Sequence, residues 1–114
     1  MRTRPSRGEV WQVDLDPTRG HEQAGVRPAV IVSVDRFNHG PAGLVVVVPI
    51  TRTERRNPFR VEVLAPEAGL TDRSFVKCED VRSISLERLR RKRGDLALTT
   101  MDVIEDRLRI LFGL

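Results

Sequence analysis

Two short segments, Pro28-Ala29-Val30-Ile31-Val32-Ser33-Val34 and Leu44-Val45-Val46-Val47-Val48, carry almost uninterrupted apolar side chains. Most of these residues are β-branched, which favours an extended backbone. A strand that is apolar on both of its faces is typical of a position buried on two sides. Between the two segments, Asn38-His39-Gly40-Pro41 is a combination of residues that favours a turn. The sequence therefore predicts two strands that are buried on both sides.

Less regular segments on either side predict the remaining strands. Residues 9–15 alternate between apolar and polar side chains, with Trp11, Val13 and Leu15 predicted on the buried face. The densest basic run, residues 88–93, is expected to be either a solvated turn or a surface that steers RNA, and we favour the turn. Further strands are predicted for residues 60–64, 74–82 and 95–98, and a short helical turn for residues 86–90.

The C-terminal part of the chain has a different period. Met101, Ile104, Leu108 and Leu111 recur at helical spacing and form one apolar stripe. Thr99 is predicted as the residue that caps the start of this helix. The strands lie too close together in sequence for the crossover helices of a parallel sheet. The 114 residues therefore predict one mainly β domain, a small and strongly bent antiparallel barrel with a C-terminal helix.

The composition excludes several classes of protein. No apolar run approaches the roughly 18 residues that a membrane helix needs, and the residues after Met1 do not predict a secretion signal. Cys78 is the single cysteine, which excludes an internal disulfide and a zinc site built from thiolates. His21 and His39 are not spaced as metal ligands. We therefore expect a cytoplasmic protein that uses no metal and no cofactor.

The charge of the chain indicates the chemistry of a partner. The chain has 20 Lys and Arg residues against 16 Asp and Glu, a net charge of +4, and lysine stands only at positions 77 and 92. The planar guanidinium group of arginine matches phosphate oxygens, whereas the ammonium group of lysine is a point charge. A nucleic acid partner is one explanation of this bias. The other explanation is a genome of high G+C content, because such genomes favour arginine codons.

A polar loop precedes the first of the two buried strands. It has the sequence Gly20-His21-Glu22-Gln23-Ala24-Gly25-Val26-Arg27-Pro28. Because proline fixes its own φ angle and restricts the residue before it, Arg27 is held at the entrance of a strand. Its guanidinium group either binds a phosphate or pairs with an acidic neighbour. Shortly after the second buried strand, Thr51 either caps a turn or donates a hydrogen bond to an anion in a cleft.

Several of these segments together closely resemble the MazF/PemK family of bacterial toxins. The resemblance rests on Arg7-Gly8-Glu9-Val10-Trp11, on Asp14-Leu15-Asp16-Pro17 and on the run from Gly20 to Ser33, which contains the string Glu-Gln-x-Gly-x-Arg-Pro. It is close over residues 7–33, and order and spacing extend it to Pro49-Ile50-Thr51 and to the C-terminal helix.

The resemblance implies an endoribonuclease of a toxin–antitoxin pair, with an SH3-like barrel, that works as a homodimer. Such toxins cut single-stranded RNA at short sequences without a metal. The ribose 2′-OH attacks the adjacent phosphate and leaves a cyclic phosphate and a 5′-OH end, and a cognate antitoxin covers the RNA groove. By the same resemblance, Arg27 and Thr51 match the catalytic residues, and Arg7, Glu22 and Gln23 match residues that contact RNA.

Physical chemistry narrows these roles. Arginine is a poor general base because its pKa lies above about 12, so Arg27 is expected first to stabilise negative charge. Glu22 is either the base or an RNA contact, and we favour the contact. His21 stands where a serine is common in the family, and it either transfers protons or stacks on a base, which we favour. Arg52, with the cations at positions 55, 56 and 60, either borders the RNA groove or lies in a solvated loop.

Two other functions compete with this interpretation. A toxin similar to CcdB shares the fold and poisons DNA gyrase through its C-terminal helix, and the ending Phe112-Gly113-Leu114 loosely resembles the end of that group. The segment from Glu22 to Pro28 argues against that function. A non-catalytic RNA-binding barrel is the other alternative, in which Arg27 and Thr51 only hold phosphate.

Overall fold

The computed structural model describes residues 4–16, 19–22 and 24–114. In these ranges the chain forms a sheet of seven strands and two α-helices. Neither helix is long and apolar enough to cross a lipid bilayer. The helices are α1 (Asp35–Asn38) and α2 (Leu98–Phe112). The strands are β1 (Glu9–Asp14), β2 (Val26–Ile31), β3 (Leu44–Thr51), β4 (Arg60–Val63), β5 (Ser74–Lys77), β6 (Arg82–Ser85) and β7 (Leu89–Asp95).

All strand pairs are antiparallel, and β3 is the central strand. Its first half pairs with β6, its middle with β2 and its last two residues with β5. The strands are ordered β4-β5-β3-β2-β1-β7, with β6 beside β3. In the described ranges β4 and β7 stand at the two ends and do not pair with each other, so the sheet is not closed. The prediction of a mainly β, SH3-like antiparallel fold with a C-terminal helix is confirmed.

Apolar side chains pack on both faces of the sheet. Ala29, Val30 and Ile31 of β2 are fully buried, with Val30 in one apolar cluster and its two neighbours in the other. Successive side chains of a strand point to opposite faces, so the two clusters lie on opposite sides of the sheet. Two-sided burial of the predicted segment is therefore confirmed for Ala29, Val30 and Ile31, whereas Pro28 before them is only partly buried. Val34 lies beyond the end of β2 and is exposed.

Strand β1 buries the face that the alternation predicted, and it also buries a residue on its other face, which the alternation did not predict. Val13 and Leu15 are buried in one cluster, and Trp11 is half-buried against the same cluster, as predicted. Val10 is fully buried in the opposite cluster. The register between β1 and β7 shifts on both sides of Trp11 and Gln12, and such irregularities bend a strand.

Two strand predictions are wrong in their bounds. The predicted strand at residues 74–82 is divided by a single turn of 3-10 helix, Cys78–Asp80, between β5 and β6. Residues 95–98, predicted as a strand, do not form a separate one. The basic run at residues 88–93 was expected to be a solvated turn, but it is mostly strand because β7 spans Leu89–Asp95. Within the described part of the chain, strand β7 lies at the edge of the sheet and has β1 as its single partner. Exposed cations are common on such edges because they oppose pairing with another chain.

Helix α2 packs the predicted stripe against the sheet, but its first turn is capped by another part of the chain. Met101 and Ile104 are buried in the core. The prediction that Thr99 caps the helix is wrong, because Ala97 is the N-cap residue and has no side-chain acceptor. Instead, the Oε2 atom of Glu67 accepts hydrogen bonds from the backbone N–H of Ala97, at 3.0 Å, and from the hydroxyl of Thr100, at 2.7 Å.

The turn that carries this carboxylate lies directly against β7. A Cβ atom at Gly94 would stand 2.6 Å from the carbonyl carbon of Ala68, which is closer than side chains tolerate. Glycine at position 94 therefore permits the close approach of the 3-10 turn Glu67–Gly69 to β7. This approach places Glu67 at the start of α2.

We expect Glu67→Ala to lower the free energy of unfolding by about 1 kcal/mol, because it removes the acceptor at the start of α2. Chemical denaturation of the two proteins measures the difference. Glu87→Ala is the matched control, because Glu87 is an exposed glutamate with no side-chain hydrogen bond among those described. Equal stability of the Glu67 variant and the wild type would show that the carboxylate does not cap the helix.

We expect Cys78 to be inert to iodoacetamide in the folded protein at neutral pH. Burial, followed by the neighbouring Glu79 carboxylate, raises the pKa of the Cys78 thiol to about 12, so the reactive thiolate is almost absent. The side chain is also fully buried. Mass spectrometry should detect modification only after denaturant is added, and rapid modification of the native protein would contradict this description of the core.

Candidate active site

The pairing of β2 with β3 brings Arg27 and Thr51 to the same place. The ladder pairs Ala29 with Pro49, Val30 with Val48 and Ile31 with Val47. Continued by two residues, the same register puts Arg27 across from Thr51. Residues that face each other on antiparallel strands have their side chains on the same side of the sheet. Consistent with this, both residues line one cleft of about 190 Å³.

The guanidinium group of Arg27 is exposed in this cleft and anchored at its base. Its backbone is paired with Val13 of β1. Its Nε–H donates a hydrogen bond to the carbonyl oxygen of Ala24, at 3.2 Å. Among the described residues no carboxylate pairs with Arg27, so the alternative of a surface ion pair is not what the structure shows. The two terminal nitrogens are therefore available to an anion.

Thr51 is nearly buried at the end of β3, with a relative exposure of 9%. Its Oγ1 atom accepts a hydrogen bond from the backbone N–H of Thr53, at 3.1 Å. This contact fixes the side chain as the cap of the following turn, which is one of the two expected roles. A hydroxyl that accepts one hydrogen bond can still donate its own proton, so the second role is compatible with the first.

Thr51 also lines a second and larger cleft, of about 500 Å³. This cleft brings the polar loop before β2 next to the end of β3, so that His21 and Glu22 line the same cleft as Thr51. Both cationic and anionic side chains line it. The lining residues are His21, Glu22, Thr51, Thr53, Arg55, Arg60, Lys77, Glu79 and Asp80.

One wall of the larger cleft is formed by a partly buried ion pair. The Nε atom of Arg60 and the Oε2 atom of Glu79 are 3.0 Å apart. Arg60 also donates a hydrogen bond to the carbonyl oxygen of Thr53, at 2.9 Å. The Oε1 atom of Glu79 is buried and has no hydrogen-bond partner among the described residues. This wall therefore contains a buried carboxylate oxygen that lacks a hydrogen bond, which is unusual for a buried polar atom.

Two cations, Lys77 and Arg82, connect the polar loop to the sheet. The Nζ atom of Lys77 donates a hydrogen bond to the carbonyl oxygen of His21, at 2.8 Å. The Glu22 carboxylate lies 3.8 Å from Arg82. Asp80 connects both cations, at 3.7 Å from the Lys77 ammonium and 2.6 Å from the Arg82 guanidinium.

The structure does not bring all of the predicted contact residues to these clefts. Arg7 lies at the other end of the sheet, where it pairs with Glu105 of α2 and donates a hydrogen bond to the carbonyl oxygen of Val32, at 3.0 Å. It lines neither cleft. Arg52 lines the smaller cleft, is largely exposed and lies 3.4 Å from Asp72. Gln23 lies outside the described residues.

Several residues of the site were not predicted from the sequence. Lys77, Glu79 and Asp80 line the larger cleft, and Arg93 lines the smaller one. The one available signal for Lys77 was its rarity, as one of two lysines in an arginine-rich chain. Arg93 comes from the strand that was expected to be a solvated turn, and it donates to the Gln12 side chain at 2.9 Å. Over the described ranges, no three His, Cys, Asp or Glu side chains are grouped to hold a metal ion.

Comparison with known proteins extends this description. The family model of the PemK-like, MazF-like toxin of type II toxin–antitoxin system matches residues 6–112. Endoribonuclease MazF9 of Mycobacterium tuberculosis is 39% identical to this chain over 109 residues, which covers 91% of this chain and 92% of that protein.

Solved structures agree with the family match. MazF (Form-I) from Deinococcus radiodurans has a TM-score of 0.88 and 25% identity, and the match covers 99% of this chain and 100% of that one. An endoribonuclease in complex with its cognate antitoxin from Mycobacterial species has a TM-score of 0.80 and 28% identity, with 96% of each chain covered. The resemblance carried by residues 7–33 is therefore confirmed, and this chain belongs to the family of PemK-like, MazF-like toxins of type II toxin–antitoxin systems.

Proposed function

We propose that this toxin, an endoribonuclease, cuts single-stranded RNA at a short sequence without a metal. In the proposed reaction the ribose 2′-OH attacks the adjacent phosphate, the bond to the 5′ oxygen breaks, and a cyclic phosphate and a 5′-OH end result. The observation that carries the proposal is the shared cleft of Arg27 and Thr51. Because the nucleophile belongs to the substrate, the protein has to align it, stabilise charge on the phosphorus and transfer protons.

Arg27 is assigned the stabilisation of charge. The attacked phosphate gains negative charge as the fifth bond to phosphorus forms. Paired N–H donors of a guanidinium group match two phosphate oxygens and strengthen as that charge develops. The hydrogen bond from Nε to Ala24 leaves the terminal nitrogens of Arg27 for this contact. A guanidinium group is a charged hydrogen-bond donor and not a base, so Arg27 is assigned charge stabilisation first.

Thr51 is assigned a hydrogen bond to the same phosphate. Its hydroxyl is held in place by the N–H of Thr53, so little freedom is lost when a substrate binds. Thr51 also lines both clefts. An RNA strand that occupies both clefts would therefore pass Thr51. We therefore place the scissile phosphate beside Thr51 and the neighbouring nucleotides in the two clefts.

His21, Glu22 and Gln23 are assigned contacts to the RNA, with Arg52 at the outer edge of the smaller cleft. His21 and Glu22 line the larger cleft, where an imidazole ring can stack on an unpaired base. The alternative role of His21 is proton transfer in the reaction. A pH–rate profile of the His21→Phe variant separates these roles, because phenylalanine keeps the stacking surface and loses the titrating group.

The partners of this toxin are proposed from its family. We propose that it works in the cytoplasm as a homodimer and that a cognate antitoxin covers the RNA-binding surface. A related endoribonuclease has been solved with its cognate antitoxin, which supports this arrangement. An exposed apolar surface around α1, formed by Val34, Phe37, Pro41 and Ala42, supports an interface between two copies. Arg7 lies at the other end of the sheet from the two clefts of its own chain. Its contact with RNA is therefore proposed only for the dimer, in which a second copy is present.

We expect the purified protein to cut a mixed-sequence single-stranded RNA in the presence of EDTA, because the proposed reaction uses only protein side chains and the 2′-OH. Mapping the new ends should give one short recognition sequence, 5′-OH ends and cyclic phosphates. RNA that binds tightly but stays intact would favour the non-catalytic RNA-binding barrel. Intact RNA together with inhibition of DNA gyrase would favour the gyrase poison.

We expect Arg27→Ala to reduce the cleavage rate by about 100-fold or more, since loss of one preorganised donor typically costs that much. Thr51→Val, which removes the hydroxyl and keeps the shape of the side chain, should also reduce the rate. Arg109→Ala is the control, because Arg109 is an exposed arginine of α2 that lines neither cleft. Thermal unfolding verifies that all three variants are folded, and wild-type cleavage by the Arg27 variant would refute the assignment.

A further inference from the structure

Lys77 is a buried lysine at the end of β5. The residue has a relative exposure of 8%, and its side chain is exposed by 11%. Removing an ammonium group from water is unfavourable unless acceptors replace the lost hydration. A lysine in this position therefore depends on the groups that it contacts.

Those groups connect distant parts of the chain. The ammonium group donates to the backbone carbonyl oxygen of His21, which is 56 positions away in sequence, at 2.8 Å. It also lies 3.7 Å from the Oδ2 atom of Asp80. The contact with His21 is to the backbone, so it does not depend on which side chain stands at position 21.

Other contacts within the described part of the loop are mostly local. The backbone N–H of Glu22 donates to the carbonyl oxygen of Arg19, and the backbone N–H of Arg19 donates to the Glu22 carboxylate, both at 3.3 Å. Arg82 adds a longer contact to the same carboxylate, at 3.8 Å. Lys77 and Arg82 thus both connect the turn at residues 19–22 to the sheet, and the contact from Lys77 is the shorter one.

We propose that Lys77 is a positioning residue, whose ammonium group holds the loop that carries His21 and Glu22 against the sheet and thereby sets the RNA-contacting wall of the larger cleft. This inference rests on the proposed function for its effect on RNA. Arg27 and Thr51 do not depend on this side-chain contact, because backbone pairing holds Arg27 opposite Val13 of β1 and Thr51 opposite Phe75 of β5. Loss of the Lys77 contact should therefore weaken recognition of RNA more than the chemical step.

The first test measures the loop without RNA. Trypsin cleaves after arginine, and the Arg19–Gly20 bond lies in the loop. Lys77→Met keeps the aliphatic chain and removes the donors, and we expect it to raise the rate of cleavage at Arg19–Gly20 by about tenfold. Lys92→Met is the matched control, since Lys92 is the other lysine, is more exposed and pairs with Glu9 and Asp95. Mass spectrometry of the released fragments measures both rates.

The second test measures RNA cleavage by the full chain. With a short oligonucleotide that contains the recognition sequence, Lys77→Met should raise KM by about tenfold and change kcat by less than about twofold. Lys77→Arg keeps a charged donor and should restore KM to within about threefold of the wild type. Thermal unfolding verifies that the variants are folded, and Lys77→Leu replaces the methionine variant if that one does not fold.

The outcomes are distinguishable. A trypsin rate at Arg19–Gly20 that is equal in the Lys77→Met and Lys92→Met variants would overturn the positioning role. So would a fall in kcat at constant KM, because it would place Lys77 at the chemical step. If the wild type does not cut RNA, the proposed function fails, and the trypsin experiment still decides whether Lys77 holds the loop.

Discussion

The antiparallel register between β2 and β3 is the constraint on which the candidate site depends. It is set by apolar side chains that fill both faces of the sheet at Ala29, Val30 and Ile31. A shift by one residue would move each of these side chains to the wrong face. The same register carries Arg27 and Thr51 to one cleft at the end of the two strands. The packing of the core and the position of the site therefore both depend on this register.

The two clefts that meet at Thr51 differ in how their walls are held. The wall with Arg27 belongs to β2, whose backbone is hydrogen-bonded to the neighbouring strands β1 and β3. The wall with His21 and Glu22 belongs to a loop and depends on side-chain contacts from Lys77 and Arg82. Such a division suits an RNA-cleaving toxin, because the chemical step requires fixed charges whereas base recognition depends on the shape of a loop.

Charged residues that are far apart in sequence supply the rest of the site, and their pairing explains why sequence patterns did not reveal them. The ion pair of Arg60 with Glu79 joins β4 to the turn after β5. Arg93 contacts Gln12 across the pairing of β7 with β1. No periodicity in the sequence marks such pairs, because each partner becomes a neighbour only when the strands are ordered in the sheet. The cap of α2 could not be predicted from the sequence for the same reason, because the hydrogen-bond acceptor at its start is Glu67, which comes from a distant turn.

The class of the fold, the two buried strands, the C-terminal helix and the family could be predicted from the sequence, because periodic burial and a specific motif are local properties of the chain. The sequence also indicated Arg27 and Thr51 as the residues of interest. Their place in one cleft, the position of Arg7 away from it and the contact between Lys77 and the polar loop became visible only in the folded chain. Those relations are distances between residues remote in sequence, and they exist only after the order and register of the strands are set.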